Sequence, residues 1–111
     1  MKELKYGVGL WCVTFAADRF LPTGYRAMQE FKKQIEMLST VEGADSIDLH
    51  SSDFEGRDAK EIAKIIKDYG LKVHALNPNV FGDPEFKFGS FSNTDKAIRR
   101  KAVDLTKKTI D

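Results

Sequence analysis

His50 and Asp53 stand three residues apart in the run His50-Ser51-Ser52-Asp53. An imidazole with an ordinary pKa of about 6.5 exchanges protons near neutral pH. A carboxylate beside it can fix which ring nitrogen carries the proton and leave the other directed at a ligand. The same spacing suits an aspartate that caps a turn next to a histidine satisfied by backbone, so spacing alone leaves both readings open. Trp11 is either an aromatic of the core or part of a binding wall. Phe81, Phe86, Phe88 and Phe91 fall in a stretch that also holds Pro78, Gly82, Pro84 and Gly89. A loop with that much apolar area packs on the body of the fold or lines a pocket, and packing is expected for at least two of the four rings. His74 is expected to be a satisfied interior histidine, and Cys12 a small buried hydrophobe.

Other chemistries lack their residues. One Cys and two His give no zinc-ligand spacing. Gly7-Val8-Gly9 lies in a strand-like stretch without the third glycine and following helix of a phosphate loop. Arg99-Arg100-Lys101 and Lys107-Lys108 are interrupted by Asp104 and flanked by Asp95 and Asp111, as on a solvated helix face. Across 111 residues, 18 Lys and Arg face 17 Asp and Glu, a formal net charge of +1. Bulk electrostatics therefore attracts neither nucleic acid nor an anionic membrane. A single Cys fits a reducing cytoplasm. No apolar run approaches the roughly 20 residues that span a bilayer, and Met1-Lys2-Glu3-Leu4-Lys5 lacks the apolar core of a signal peptide.

Three strand–helix units must position these residues. Alternation of Tyr6, Val8, Leu10 and Cys12 predicts a strand over 5–14. Pro22-Thr23-Gly24 marks a loop, and Met28, Phe31, Ile35 and Leu38 predict a helix over 25–41. A second strand is predicted over 46–50, then a polar loop over 51–57. Asp58, with Glu61 three residues later, has the spacing of a reciprocal helix cap. Ile62, Ile65, Ile66 and Tyr69 form the apolar stripe of that helix, and Gly70 ends it. A third strand is predicted over 71–76, a long loop over 77–93, and a third helix from Thr94 or Asp95, with Ile98, Ala102, Leu105 and Thr109 on one face.

The order βαβαβα implies parallel pairing. It predicts an α/β fold made of the first three βα units of a (β/α)8 TIM barrel. Such barrels use about 250 residues, and the last helix shows no stop signal, so residues 1–111 read as the single-domain N-terminal portion of a truncated barrel. In such folds the loops after the strands hold the active site. That rule selects residues 11–20, 50–53 and 77–91.

These stretches resemble the xylose isomerase family. Gly9-Leu10-Trp11 with Asp18-Arg19-Phe20 is similar to the family's first strand and loop. Asp48-Leu49-His50-Ser51-Ser52-Asp53 is similar to its second strand and catalytic His-x-x-Asp. Gly70-Leu71-Lys72-Val73, Asn79-Val80-Phe81, Pro84 to Phe91, Asp95 and Arg99 to Ala102 follow in matching order. The resemblance implies an aldose–ketose isomerase of the xylose or glucose type, with a divalent cation (magnesium, manganese or cobalt) assisting a hydride shift between C1 and C2. It implies that His50 and Asp53 are catalytic, with His50 at the sugar's ring oxygen and Asp53 holding its tautomer. It places Trp11 and Phe81 in the apolar wall around the sugar, and Phe20 as an aromatic reaching a neighbouring subunit's site. Leu21 and Pro22 alter the family's Pro-Phe-Gly order, and Ser51-Ser52 stands where acidic residues are frequent. The family's metal ligands and catalytic lysine lie on later strands, so the resemblance assigns no metal ligand here. It implies a cytoplasmic homo-oligomer, dimer or tetramer, for the full-length protein and an inactive isolated portion. Two other functions compete. One is a non-catalytic α/β piece that acts through self-assembly or complementation by another chain. The other is a barrel enzyme such as a base-excision endonuclease, which the absence of a basic stripe disfavours.

Overall fold

Strand β2 (Ala44–His50) carries Ile47 and Leu49 on one face, both fully buried, and Ser46, Asp48 and His50 on the other. That period of two divides the molecule into a helix-covered side and an open side. β1 (Tyr6–Gly9) and β3 (Lys72–Asn77) pair with β2 in parallel, giving the sheet order β1-β2-β3. Gly9 lies beside Asp48 and His50 beside Asn77, so the three strands end together at their C-terminal edge. The architecture is α/β, with the parallel strands and alternating helices of consecutive βα units. The computed structural model describes residues 4–18 and 20–111. Met1-Lys2-Glu3, read above for a signal peptide, and Arg19 of the run Asp18-Arg19-Phe20 lie outside the described residues.

Helix α1 (Phe31–Ser39) buries Phe31, Ile35 and Leu38, and α2 (Ala59–Asp68) buries Ile62 and Ile66. These side chains meet Ile47, Leu49, Leu10 and Leu71 in one core, with Ile65 and Tyr69 packed at its margin. The Asp58 carboxylate accepts the Lys60 N–H and starts α2, the half of the expected reciprocal cap that forms. Asp95 does the same for α3 (Lys96–Ile110) by accepting the Ala97 N–H. Only Ala102 of α3 is fully buried, so the helix is tied down by polar contacts. The Lys101 ammonium pairs with Asp83 at 2.6 Å and also with Glu85, and lies 5.5 Å from the centre of the Phe86 ring.

Four expectations are corrected. The first strand ends at Gly9, and Leu10–Val13 forms a 3₁₀ helix, because Leu10 turns into the core while Arg26 takes the Cys12 and Thr14 carbonyls. The first α-helix begins at Phe31 and not Tyr25. The Tyr25 and Arg26 amides are spent on the Phe15 carbonyl, and Gly24 sits at φ +79°, outside helical space. Cys12 is exposed. Of the four loop phenylalanines only Phe86 is buried, in the 3₁₀ helix Pro84–Phe88.

Candidate functional site

The C-terminal ends of the three strands bring their following segments to one place. The 3₁₀ helix after β1 carries Trp11, the last residue of β2 is His50, and the loop after β3 carries Phe81. The His50 imidazole lies between two aromatic rings, its centroid 4.6 Å from the Trp11 indole and 5.2 Å from Phe81. A cavity of about 270 Å³ opens here, lined by His50, Asp53, Arg57, Asn79, Trp11 and Phe81, with Phe15, Met28 and Phe31 adding apolar surface.

Each wall has its own support. Trp11 rests on Gly9, where a Cβ would come within 2.1 Å of the indole. The Phe81 loop is drawn to β2 by the Asn79 N–H, which donates to Ser51 Oγ at 3.1 Å. Asn79 Oδ1 in turn accepts the Gly82 N–H. Asp53 ends the first turn of the 3₁₀ helix Ser51–Phe54, and its carboxylate accepts the His50 backbone N–H at 2.8 Å. Of the two readings that the spacing leaves open this is the capping one, with the carboxylate on the main-chain amide and not on a ring nitrogen. His50 is the residue at which the helix starts, so its amide lacks a helical acceptor and the carboxylate folds back onto it. The Arg57 guanidinium donates to the Asp53 carbonyl at 2.8 Å and covers the Phe31 ring at 5.1 Å.

Burial sets the charge of the pair. It pushes the His50 imidazole below its ordinary 6.5, opposed only in part by the charge of Asp53. It pushes the Asp53 carboxyl above its ordinary value, against the pull of the His50 amide, the His50 ring and Arg57. The outcome at neutral pH is an uncharged imidazole, one ring nitrogen turned to the Asp53 backbone N–H in the capping box and the other left to donate its N–H, with aromatic rings beside it.

Phe20 is not brought to this cavity. The Asp18 carboxylate accepts the Phe20 and Leu21 amides at 2.7 Å each, which turns the chain and leaves Phe20 71% exposed, its ring 5.9 Å from the Lys87 ammonium. His74 is not interior either. It stands on the open face of the sheet with Nδ1 3.0 Å from Asp48. Among the described residues no three His, Cys, Asp or Glu side chains converge to hold a metal ion, so the divalent cation implied by the resemblance finds no ligand set in them. Arg26 and Arg57 were not singled out from sequence. Arg57 carried one signal, its place just before a helix cap at the end of a strand-following loop.

Parallel βα units with aromatic and titratable side chains gathered at the strand ends define the class: an α/β protein built like part of a barrel with its site at the C-terminal edge. No protein-family profile matches the chain. Among curated proteins it is similar to the xylose isomerase of Thermus thermophilus, with 32% identity over 118 aligned positions that take in 98% of this chain and 30% of that protein. The chain therefore spans under a third of that relative's length. Among the described residues no helix is long and apolar enough to cross a membrane.

Proposed function

We propose that this chain is the N-terminal portion of a (β/α)8 barrel and carries the sugar-binding wall of an aldose–ketose isomerase site. The observation that supports it is the His50 imidazole held between Trp11 and Phe81 over a cavity at the strand ends. In this reading the neutral His50 engages the ring-oxygen region of the aldose and helps to open the ring. Asp53 holds the turn that aims it. Trp11 and Phe81 exclude water, which favours transfer of hydride between adjacent carbons over exchange of a proton with solvent. Phe20, exposed and outside the cavity, is the aromatic that would reach a neighbouring subunit. In this reading the isolated portion binds sugar without turnover, because the family it resembles carries its metal ligands and catalytic lysine on later strands.

Titration of the chain with xylose and glucose, followed by NMR, tests this. Shifts should concentrate at Trp11, His50 and Phe81, and a spectrum that ignores both sugars at high concentration would sink the reading. In the full-length protein, ketose formation that survives replacing both His50 and Asp53 by Ala would equally count against it.

A second reading draws on the sheet. β1 and β3 are its outer strands, and Tyr6, Val73 and Leu76 on them are exposed. Such edges suit pairing with another copy or with a complementing chain.

A further inference from the structure

Trp11 is 41% exposed and is not fixed by burial. Its segment has one fully buried residue, Leu10, with Val13 packed at the margin of the core. A second hold on the segment comes from farther along the chain. Arg26 Nε donates to the Thr14 carbonyl at 2.6 Å and Nη2 donates to the Cys12 carbonyl at 2.8 Å. Those two carbonyls follow Trp11 by one and three residues, at the frayed end of a one-turn 3₁₀ helix where acceptors lack helical partners. The same turn carries a cost. Ala16 lies at φ +57°, a conformation that L side chains rarely adopt and that surroundings must impose. The Tyr25 and Arg26 amides close on the Phe15 carbonyl beside it, at 2.9 and 3.3 Å.

We infer that Arg26 is a positioning residue: its forked guanidinium pins the turn after β1 and so keeps the Trp11 indole against His50. Gly9 supplies the floor on which the indole lies, and Arg26 supplies the force that keeps it there. A planar fork meets two carbonyls at fixed separation, which a lysine ammonium cannot reproduce. For sugar binding the inference rests on the function proposed above, while its geometric content can be read without any sugar.

The test uses the two histidines. The His50 ring protons sit in the ring currents of Trp11 and Phe81, whereas His74 is bonded to Asp48 on the open face of the sheet and serves as an internal reference. Trp11→Leu defines the His50 shift without an indole. Arg26→Gln should carry the His50 resonances most of the way to that end point and leave His74 where it is, while Arg26→Lys should fall between. Sugar affinity, where the wild-type chain binds, should weaken about tenfold in Arg26→Gln, since the two lost charge-assisted hydrogen bonds act on the ligand only through Trp11. Unchanged His50 resonances in Arg26→Gln would overturn the inference. So would equal movement of both histidines in Arg26→Lys, the milder variant, since that marks a general loss of fold. A wild-type chain that ignores sugar yet shows the selective His50 response would remove the sugar reading and leave Arg26's role standing.

Discussion

The Asp53 carboxylate accepts the backbone N–H of His50 at 2.8 Å, so the acid of the pair acts first on the position of the histidine's main chain. The imidazole is then directed by the turn that Asp53 closes and by the Trp11 and Phe81 rings on either side. Charge still couples the two groups, since the Asp53 carboxylate favours the protonated imidazole and the imidazolium favours the ionised carboxyl.

The His50 ring should titrate below 6.5, and Asp53→Asn should lower its midpoint further by removing the one nearby charge that raises it. NMR titration of the ring protons measures both. The sign for stability follows from linkage. With the folded pKa depressed, the unfolded chain takes up its proton first, so the His50 contribution is complete above about 6.5 and is lost as pH falls from there through the folded value. Asp53 works in the opposite sense. Its folded pKa is raised, so its contribution is present at low pH and is lost as pH rises from 3.8 through the folded value. An Asp53→Asn variant that leaves the His50 midpoint unmoved would show that the charges are not coupled.

Gly9→Ala should displace the indole, because the new Cβ would lie 2.1 Å from Trp11 Cε2. Overpacking of this kind costs about 1–3 kcal/mol. Trp11 is the only tryptophan, so its emission should move to the red as the ring leaves His50 for solvent. Wild-type emission in Gly9→Ala would mean that the floor can yield.

Two left-handed glycines separate strain from collision. Gly24 and Gly56 both have positive φ, but a Cβ at Gly24 meets the Phe15 carbonyl oxygen at 2.3 Å, whereas one at Gly56 meets nothing. Gly56→Ala should cost only the left-handed penalty of about 1–2 kcal/mol. Gly24→Ala should cost distinctly more and should loosen the turn that Arg26 closes. Urea unfolding of the two variants compares them directly, and equal midpoints would contradict the geometry.

The Asp83 carboxyl should titrate below the ordinary carboxylate range, held down chiefly by the Lys101 ammonium and then by the Glu85 amide. Lys101→Met should bring it back up, and added salt should move the wild-type value the same way by screening an exposed pair. Carbon-detected NMR of the carboxyl group reads this. Because the pair ties 83–88 to α3, the variant should also be cut faster by protease in that loop.

Sedimentation velocity should show association that grows with concentration, since β1 and β3 each present an unpaired edge among the described residues. Val73→Lys, at a half-exposed position of the edge strand β3, should suppress it by placing charge on the edge. A monodisperse wild-type monomer at high concentration would count against edge pairing.

The alternation of Ile47 and Leu49 in β2 and the spacing of Ile62 and Ile66 in α2 were enough to read strand, helix and buried face, because burial on one side imposes those periods directly. Asp58 and Asp95 marked helix starts for an equally local reason, a carboxylate next to free amides. The strand-end rule likewise selected the segments that carry Trp11, His50 and Phe81. Their meeting at 4.6 and 5.2 Å needed the parallel register of three strands distant in sequence. Tertiary structure alone decided that the helix after β1 waits until Phe31, that Phe20 faces outward, and that Arg26 reaches back to the Cys12 and Thr14 carbonyls. Periodicity records which residues lose water, and a long-range hydrogen bond from an exposed arginine leaves no period to read.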